Sequence, residues 1–203
     1  FDSLNLEGTG ARRPHGFRWG AGANTVPQIV APGFAHGVCS FNSGQGTTGT
    51  YFLETIQCFR PDPGRGVYAR FDFMLNSNPN TTHIKEIGFG NPTGGSVSPD
   101  EGVYFKWSTN STFKAASQYA GVAEYLSAAI ENPNQNAWHL GEIYWYTDKA
   151  IFCIDGAKVA EIQAKDIGAA NVGMIRDNSN SPFFARLHIP SSDAAGPAFG
   201  LCN

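Results

Sequence analysis

The 203 residues predict an all-β chain folded as a two-sheet antiparallel sandwich, and three observations carry that reading. The first is the stretch Trp138 to Ile162, which reads as three consecutive short strands joined by two tight turns. In it Leu140, Ile143 and Trp145 contrast with Glu142, Tyr144 and Tyr146, the period-two pattern of a half-buried strand. Thr147-Asp148-Lys149 is a polar break before Ile151 to Ile154. Asp155-Gly156 then supplies the positive φ of a two-residue hairpin turn, because glycine has no Cβ to clash, and Val159 to Ile162 returns as a strand. The second observation is the alternation in Val67 to Leu75. Val67, Ala69, Phe71 and Phe73 fall on one face; Tyr68, Arg70 and Asp72 fall on the other. The third is composition: 24 glycines, 12 prolines and only 15% charged residues suit many short strands joined by turns. Fifteen phenylalanines supply much of the expected core.

The length fits one sandwich domain over residues 1–203. A chain of this size buries roughly 70% of its unfolded surface, so its core needs no metal. Residues 1–24 read as a mobile leader or an edge strand, with weak alternation at Phe17-Arg18-Trp19. Val26 to Val30 carries Pro27 and so belongs at an edge, since proline cannot donate to a central ladder. Strands follow at Val38 to Asn42 and Tyr51 to Phe59, separated by a Gly-rich loop at 43–49. Pro61 to Gly66 is a tight connection into the alternating strand 67–75. Beyond a polar loop comes Ile84 to Phe89, then a long loop, then a hairpin of Val103 to Trp107 and Thr112 to Tyr119. The segment 121–131 fits helical spacing through Val122, Tyr125, Leu126, Ala129 and Ile130, and fits a strand equally well. Asn132 to Asn136 is a turn cluster. Asn171 to Met174 and Phe183 to Ile189 are the last strands, and 190–203 reads as an irregular tail.

Charge excludes some partners. A net charge of −3 and a pI near 5.9 leave no basic stripe for phosphates, so nucleic acid is not expected. No apolar run approaches the roughly 20 residues that span a bilayer, so membrane insertion is not expected either. A start at Phe1 rather than Met is what a trimmed, mature product shows. Cys39, Cys58, Cys153 and Cys202 allow three pairings, and none has a zinc-type spacing. A Cys153–Cys202 bond would fasten the tail and close a loop of about 50 residues, worth roughly 4 kcal/mol in the chain-entropy model. The alternative is four reduced thiols. Asn80 and Asn110 each begin an Asn-x-Ser/Thr sequon in a turn-like loop, which points toward export as a glycoprotein.

The order of these signals resembles the concanavalin A-like (laminin-G-like) jelly-roll superfamily. The matching stretches are Gly66 to Phe73, Ile87-Gly88-Phe89, Gly102 to Trp107, Trp138-His139, and Glu142 to Asp148 through Ile154-Asp155-Gly156, together spanning roughly residues 50 to 190. The spacing is also similar to jelly-roll domains of phage and other virion surface proteins. The resemblance implies a concanavalin A-like jelly roll. It leaves function open among lectins, glycanases, lyases and adhesive modules, since fold does not assign function. The Glu-x-Asp-x-x-Glu strand of a retaining glucanase, whose carboxylates stand about 5 Å apart, is absent. Glu54, Glu86, Glu101, Glu142, Asp148 and Asp155 do not match it. The Arg-x-Glu-x-Arg and Gln-Ile-His motifs of one alginate lyase family are also absent.

Individual residues still carry candidate chemistry. A polysaccharide lyase needs a base, an acid and a cation to neutralise the substrate carboxylate. Arg70, Tyr68, Tyr104 and Lys106 would supply these if their outward faces lined one sheet, with His139 as a further base. The plainer reading of Arg70 and Asp72 is a solvated charge pair, and of Trp138-His139 the start of a structural strand. Glycan contacts would come from Trp107, Tyr119, Tyr144 and Tyr146, whose rings share strands with polar partners. Asp148 and Asp155 sit in turns where a structural calcium could bind, but hard cations want several oxygens and only isolated carboxylates are visible. His15, His36, His83 and His188 show no ligand spacing. No cofactor or metal is therefore expected. The expected function is a non-catalytic structural or interaction module, extracellular or on a cell or virion surface, with possible glycan affinity. Its expected partners are surface glycans, copies of itself or other surface proteins. A polysaccharide lyase and a soluble lectin are the alternatives.

Overall fold

The computed structural model describes residues 17–21, 38–42, 49–75, 84–91, 102–108, 112–118, 124–134, 136–165, 181–189 and 198–202. These form thirteen strands: β1 (Phe17–Ala21), β2 (Val38–Asn42), β3 (Gly49–Phe59), β4 (Val67–Met74), β5 (Ile84–Gly90), β6 (Gly102–Ser108), β7 (Thr112–Gln118), β8 (Tyr125–Leu126), β9 (His139–Trp145), β10 (Lys149–Ile154), β11 (Ala157–Gln163), β12 (Ser181–Ile189) and β13 (Ala198–Cys202). Seven of them make one sheet, in the order β1-β3-β12-β5-β6-β7-β8. Six make the other, in the order β11-β10-β9-β4-β13-β2. Every pairing is antiparallel. No helix occurs among the described residues, and within 121–131 the described residues hold β8, paired with β7, and an isolated bridge from Ile130 to Phe113.

The central meander forms as its turn chemistry dictates. Asp155 (φ 52) and Gly156 (φ 78) both take the left-handed conformation that a two-residue hairpin of this hand requires. The preceding turn closes with the Tyr146 amide donating to the Lys149 carbonyl at 2.8 Å. Alternation then sorts each strand. Phe71 and Phe73 of β4, Ile143 and Trp145 of β9 and Phe152 of β10 point at Ile87, Phe89, Phe105, Trp107 and Phe113 of the other sheet. Phe105 lies 5.1 Å from Phe152 and 6.4 Å from Phe71, centroid to centroid, so it bridges the two layers.

Two expectations are corrected here. The tail is not irregular throughout: 198–202 is β13, inserted between β4 and β2. Pro197 and Gly200 read locally as turn signals, whereas pairing with two neighbours decides the conformation. The Cys153–Cys202 bond is not formed, and Cys153 and Cys58 are free. β10 and β13 are three strand steps apart, about 14 Å at the usual spacing. A disulfide needs Cα atoms within about 7 Å. In the β2–β13 pair, Cys39 stands opposite Leu201 and Cys202 opposite Val38. The expected strands at Val26 to Val30 and Asn171 to Met174, the sequons at Asn80 and Asn110, and Tyr119 lie outside the described residues.

Two packing details generate tests. A Cβ on Gly88 would stand 2.4 Å from the Val103 carbonyl oxygen and 2.5 Å from the Tyr104 Cα, both backbone atoms that cannot swing aside. Gly88→Ala is therefore expected to cost about 3 kcal/mol in denaturant unfolding. Lys85 is buried on the inner face of β5, donating to the Leu75 carbonyl, with its Nζ 4.4 Å from the Trp107 ring centroid. Burial lowers its pKa from 10.5 to about 7. Between those values the unfolded chain holds a proton that the folded chain does not, so stability rises with pH across that window. The thermal midpoint is expected to climb from pH 7 to pH 9, and Lys85→Met to flatten the climb.

Candidate functional site

The residues expected to converge as a lyase site stand on opposite sides of the sandwich. β4 sends Tyr68 and Arg70 to the outer face of the six-stranded sheet, while β6 sends Tyr104 and Lys106 to the outer face of the seven-stranded one. Two packed sheets, about 10 Å apart, lie between them. The grouping of Arg70 and Tyr68 with Tyr104 and Lys106 is thus corrected: a strand's faces are legible in sequence, but which sheet it joins is not.

On the seven-stranded sheet the outer side chains are engaged with one another. Register places Arg186, Glu86 and Lys106 in one row across β12, β5 and β6. Arg186 Nη1 lies 2.6 Å from Glu86 Oε2, and Lys106 Nζ lies 2.7 Å from Glu124 Oε2 and 3.6 Å from Glu86 Oε1. The Tyr104 hydroxyl donates to Glu124. Tyr104, Glu86 and Arg186 are each 0% exposed. Burial, followed by the charges of Glu86 and Glu124, drives the Tyr104 phenol well above its usual pKa, which opposes the phenolate a tyrosine base requires. Burial also raises Glu86, against the pull of Arg186 and Lys106. In the same layer burial and the charges of Arg186 and Lys106 lower His188 to about 4, so its imidazole is neutral near pH 7. Trp107, expected as a glycan contact, is 1% exposed inside the core, so that role is corrected too. Its alternation with Lys106 is genuine, but the apolar side faces inward.

The outer face of the six-stranded sheet is open. Register sets Tyr68 opposite Tyr144 and Arg70 opposite Glu142 across β4 and β9. The two tyrosine rings lie 4.7 Å apart at 35°, and Tyr68 is 49% exposed. Both hydroxyls turn to one carboxylate oxygen: Tyr68 donates to Glu142 Oε1 at 2.6 Å and Tyr144 at 3.4 Å. Glu142 holds the Tyr68 phenol at a pKa of about 12, first through this hydrogen bond. Burial, then the charge of Glu142, raises Tyr144 as well. Arg70 is exposed and pairs with neither Glu142 nor Asp72 among the described residues. The row continues to the free thiol of Cys153, opposite Glu142, and to Lys158 of β11. Burial and the Glu142 charge raise the Cys153 pKa. Glu142 is the residue that sequence reasoning missed as a binding group. Its only signal was a place between Tyr144 and Leu140 on a polar face, and its relation to Tyr68 needs the β4–β9 register. Tyr146, two residues beyond Tyr144, lies against Gly66, two residues before Tyr68, with Lys149 Nζ 5.9 Å from its ring centroid.

His139 sits beside an open depression of about 490 Å³, bounded also by Ile130, Asn132, Asn134, Asp155 and Val159. Its Nδ1 is 2.7 Å from Asp155 Oδ2 and its Nε2 is 3.0 Å from the Asn134 carbonyl oxygen. The ring lies between the turn cluster and the β10–β11 hairpin, and because both partners only accept, a neutral imidazole donates to one of them at a time. Asp155 also accepts from the Leu140 amide at 2.9 Å. Burial raises its carboxyl, but the His139 and Leu140 bonds prevail and its pKa is lowered. Asp148 lies at the other end of β10, roughly 20 Å away along the strand, so the two turn aspartates do not share a cation. Among the described residues no group of three or more His, Cys, Asp or Glu side chains could hold a metal. A carboxylate with a lowered pKa stabilises above its unfolded value, and that contribution is lost as pH falls through the folded value. Asp155→Asn, which keeps the left-handed turn, is expected to cost about 1 kcal/mol at pH 7, with the gap to the parent shrinking as pH falls below the ordinary value of 3.8.

No protein-family model matches the sequence, and no curated protein does. Solved structures do. The metal-free carbohydrate recognition domain of Emp46p aligns with a TM-score of 0.61 at 8% identity, over 92% of this chain and 85% of that one. A structure described under human gut microbiota endo-acting O-glycanases that initiate mucin breakdown aligns with a TM-score of 0.62 at 10% identity, over 90% and 88%. A native glycosidic hydrolase aligns with a TM-score of 0.61 at 14% identity, over 92% and 87%. At these identities the likeness concerns the fold. With two antiparallel sheets in this strand order, the chain has the concanavalin A-like jelly-roll fold.

Proposed function

We propose that this chain is a non-catalytic extracellular module, displayed on a cell or virion surface or released, that binds glycans on the outer face of the six-stranded sheet. The observation that carries the reading is the exposed Tyr68–Tyr144 pair gathered on Glu142, with the guanidinium of Arg70, unpaired among the described residues, beside it. Rings offer the apolar face of a sugar a stacking surface, and a carboxylate with an arginine offers its hydroxyls an acceptor and donors. Carbohydrate recognition and glycanase action in the names of similar structures support the ligand class. The separation of Tyr68 and Arg70 from Tyr104 and Lys106, together with the engagement of the latter two, weighs against the lyase alternative.

A glycan array is expected to find a bound class for the parent chain, and Tyr68→Ala to weaken that binding about tenfold. The bound glycan should also slow alkylation of Cys153, beside Glu142, and leave the exposed Cys58 unaffected, as read by peptide-resolved mass spectrometry. Release of unsaturated product from a uronate polysaccharide would replace this reading with the lyase. An absence of glycan binding, with the protein purified as a stable homo-oligomer, would replace it with a purely structural role.

A further inference from the structure

We infer that the Tyr68–Glu142–Tyr144 platform selects neutral glycans and discriminates against those carrying carboxylates, an inference that rests on glycan binding at this face. Both phenol hydroxyls approach the same oxygen, Glu142 Oε1, so each phenol spends its proton on the protein. Glu142 Oε2 is left without a partner among the described residues and is available to accept from a ligand hydroxyl. A carboxylate in the ionised form accepts only, so the groups at the centre of the platform call for a donor. A sugar hydroxyl supplies one; a uronate or other ligand carboxylate does not, and adds like-charge repulsion at short range.

The surrounding charges do not reverse this. Lys158 is already paired with Glu161. Lys149 is engaged by the Tyr146 ring, its Nζ 5.9 Å from the centroid. Among the described residues Arg70 is the single unpaired cation in the same cross-strand row, and it bonds a carboxylate more strongly than a neutral hydroxyl. Its presence limits the discrimination. The carboxylate between the rings therefore sets the preference, and the guanidinium beside it softens that preference.

The test uses a panel of gluco-, galacto-, manno- and N-acetylglucosamine-based oligosaccharides, printed beside the same compounds oxidised at C6 to carboxylates. The parent chain is expected to bind its neutral ligand about tenfold more tightly than the oxidised counterpart, with the gap narrowing as salt is raised. Glu142→Gln should close the gap to about threefold or less, and Arg70→Gln should widen it. A spectrophotometric titration checks that the substitution acts where intended: the Tyr68 phenol should fall from its pKa of about 12 in Glu142→Gln. Equal or better binding of oxidised ligands by the parent chain, or a full gap retained in Glu142→Gln, overturns the inference while leaving glycan binding intact. Binding of no compound on the panel overturns the glycan reading itself.

Discussion

Phe105 is where the two sheets hold together. Its ring meets Phe152 edge-on at 5.1 Å, stacks with Phe113 at 5.2 Å, and reaches Phe71 at 6.4 Å, so β6, β7, β10 and β4 are all anchored at one side chain. Phe73 stacks on Phe113 at 6.2 Å, and Phe89 lies 5.6 Å from Trp145, extending the same seam across both layers. Rings of this size bury much apolar area each, and they interlock only if every strand keeps its alternate residues inward. That constraint fixes the register of β4 against β9, and the register decides which polar residues meet outside. The seam also explains Gly141, because a Cβ there would stand 2.5 Å from the Phe71 ring.

The two outer faces illustrate opposite uses of the same alternation. On the seven-stranded sheet, polar side chains are buried and paired through Arg186–Glu86 and Lys106–Glu124. Such a layer costs desolvation, and removing one partner leaves an uncompensated charge, so it is an arrangement for holding shape. On the six-stranded sheet, Tyr68, Arg70, Glu142 and Tyr144 stay in contact with water. Their hydrogen bonds converge on one oxygen, and Glu142 Oε2 and the Arg70 guanidinium have no partner among the described residues. The proposed glycan binding rests on that surplus.

Much of this was legible in the residues. The alternation in 67–75 placed Phe71 and Phe73 inward and Tyr68 and Arg70 outward, and the hairpin at Asp155-Gly156 follows from glycine's freedom at positive φ. Tyr144 was recognised as an aromatic on a polar face, but Glu142 was not recognised as its partner with Tyr68, 74 positions away in the chain. Local pattern reports which side of a strand a residue occupies. It carries no information about which sheet the strand joins, and for that reason Lys106 and Arg70 could be imagined together. β13 was missed for a related reason: Gly200 has poor strand propensity, and its conformation is imposed by Ser40 on one side and Met74 on the other.

That placement of β13 has a temporal consequence. It joins β2 to β4, so the order of the six-stranded sheet, β11-β10-β9-β4-β13-β2, is interrupted until residues 198–202 arrive. During synthesis β9, β10 and β11 can pair as a meander of near neighbours and join β4, while β2, made earlier, must wait for residues 198–202. Loop closure over such a separation is slow, and an unpaired strand edge in the interval invites pairing with other chains. A chaperone engaging this nascent chain would find β2 as its longest-waiting strand.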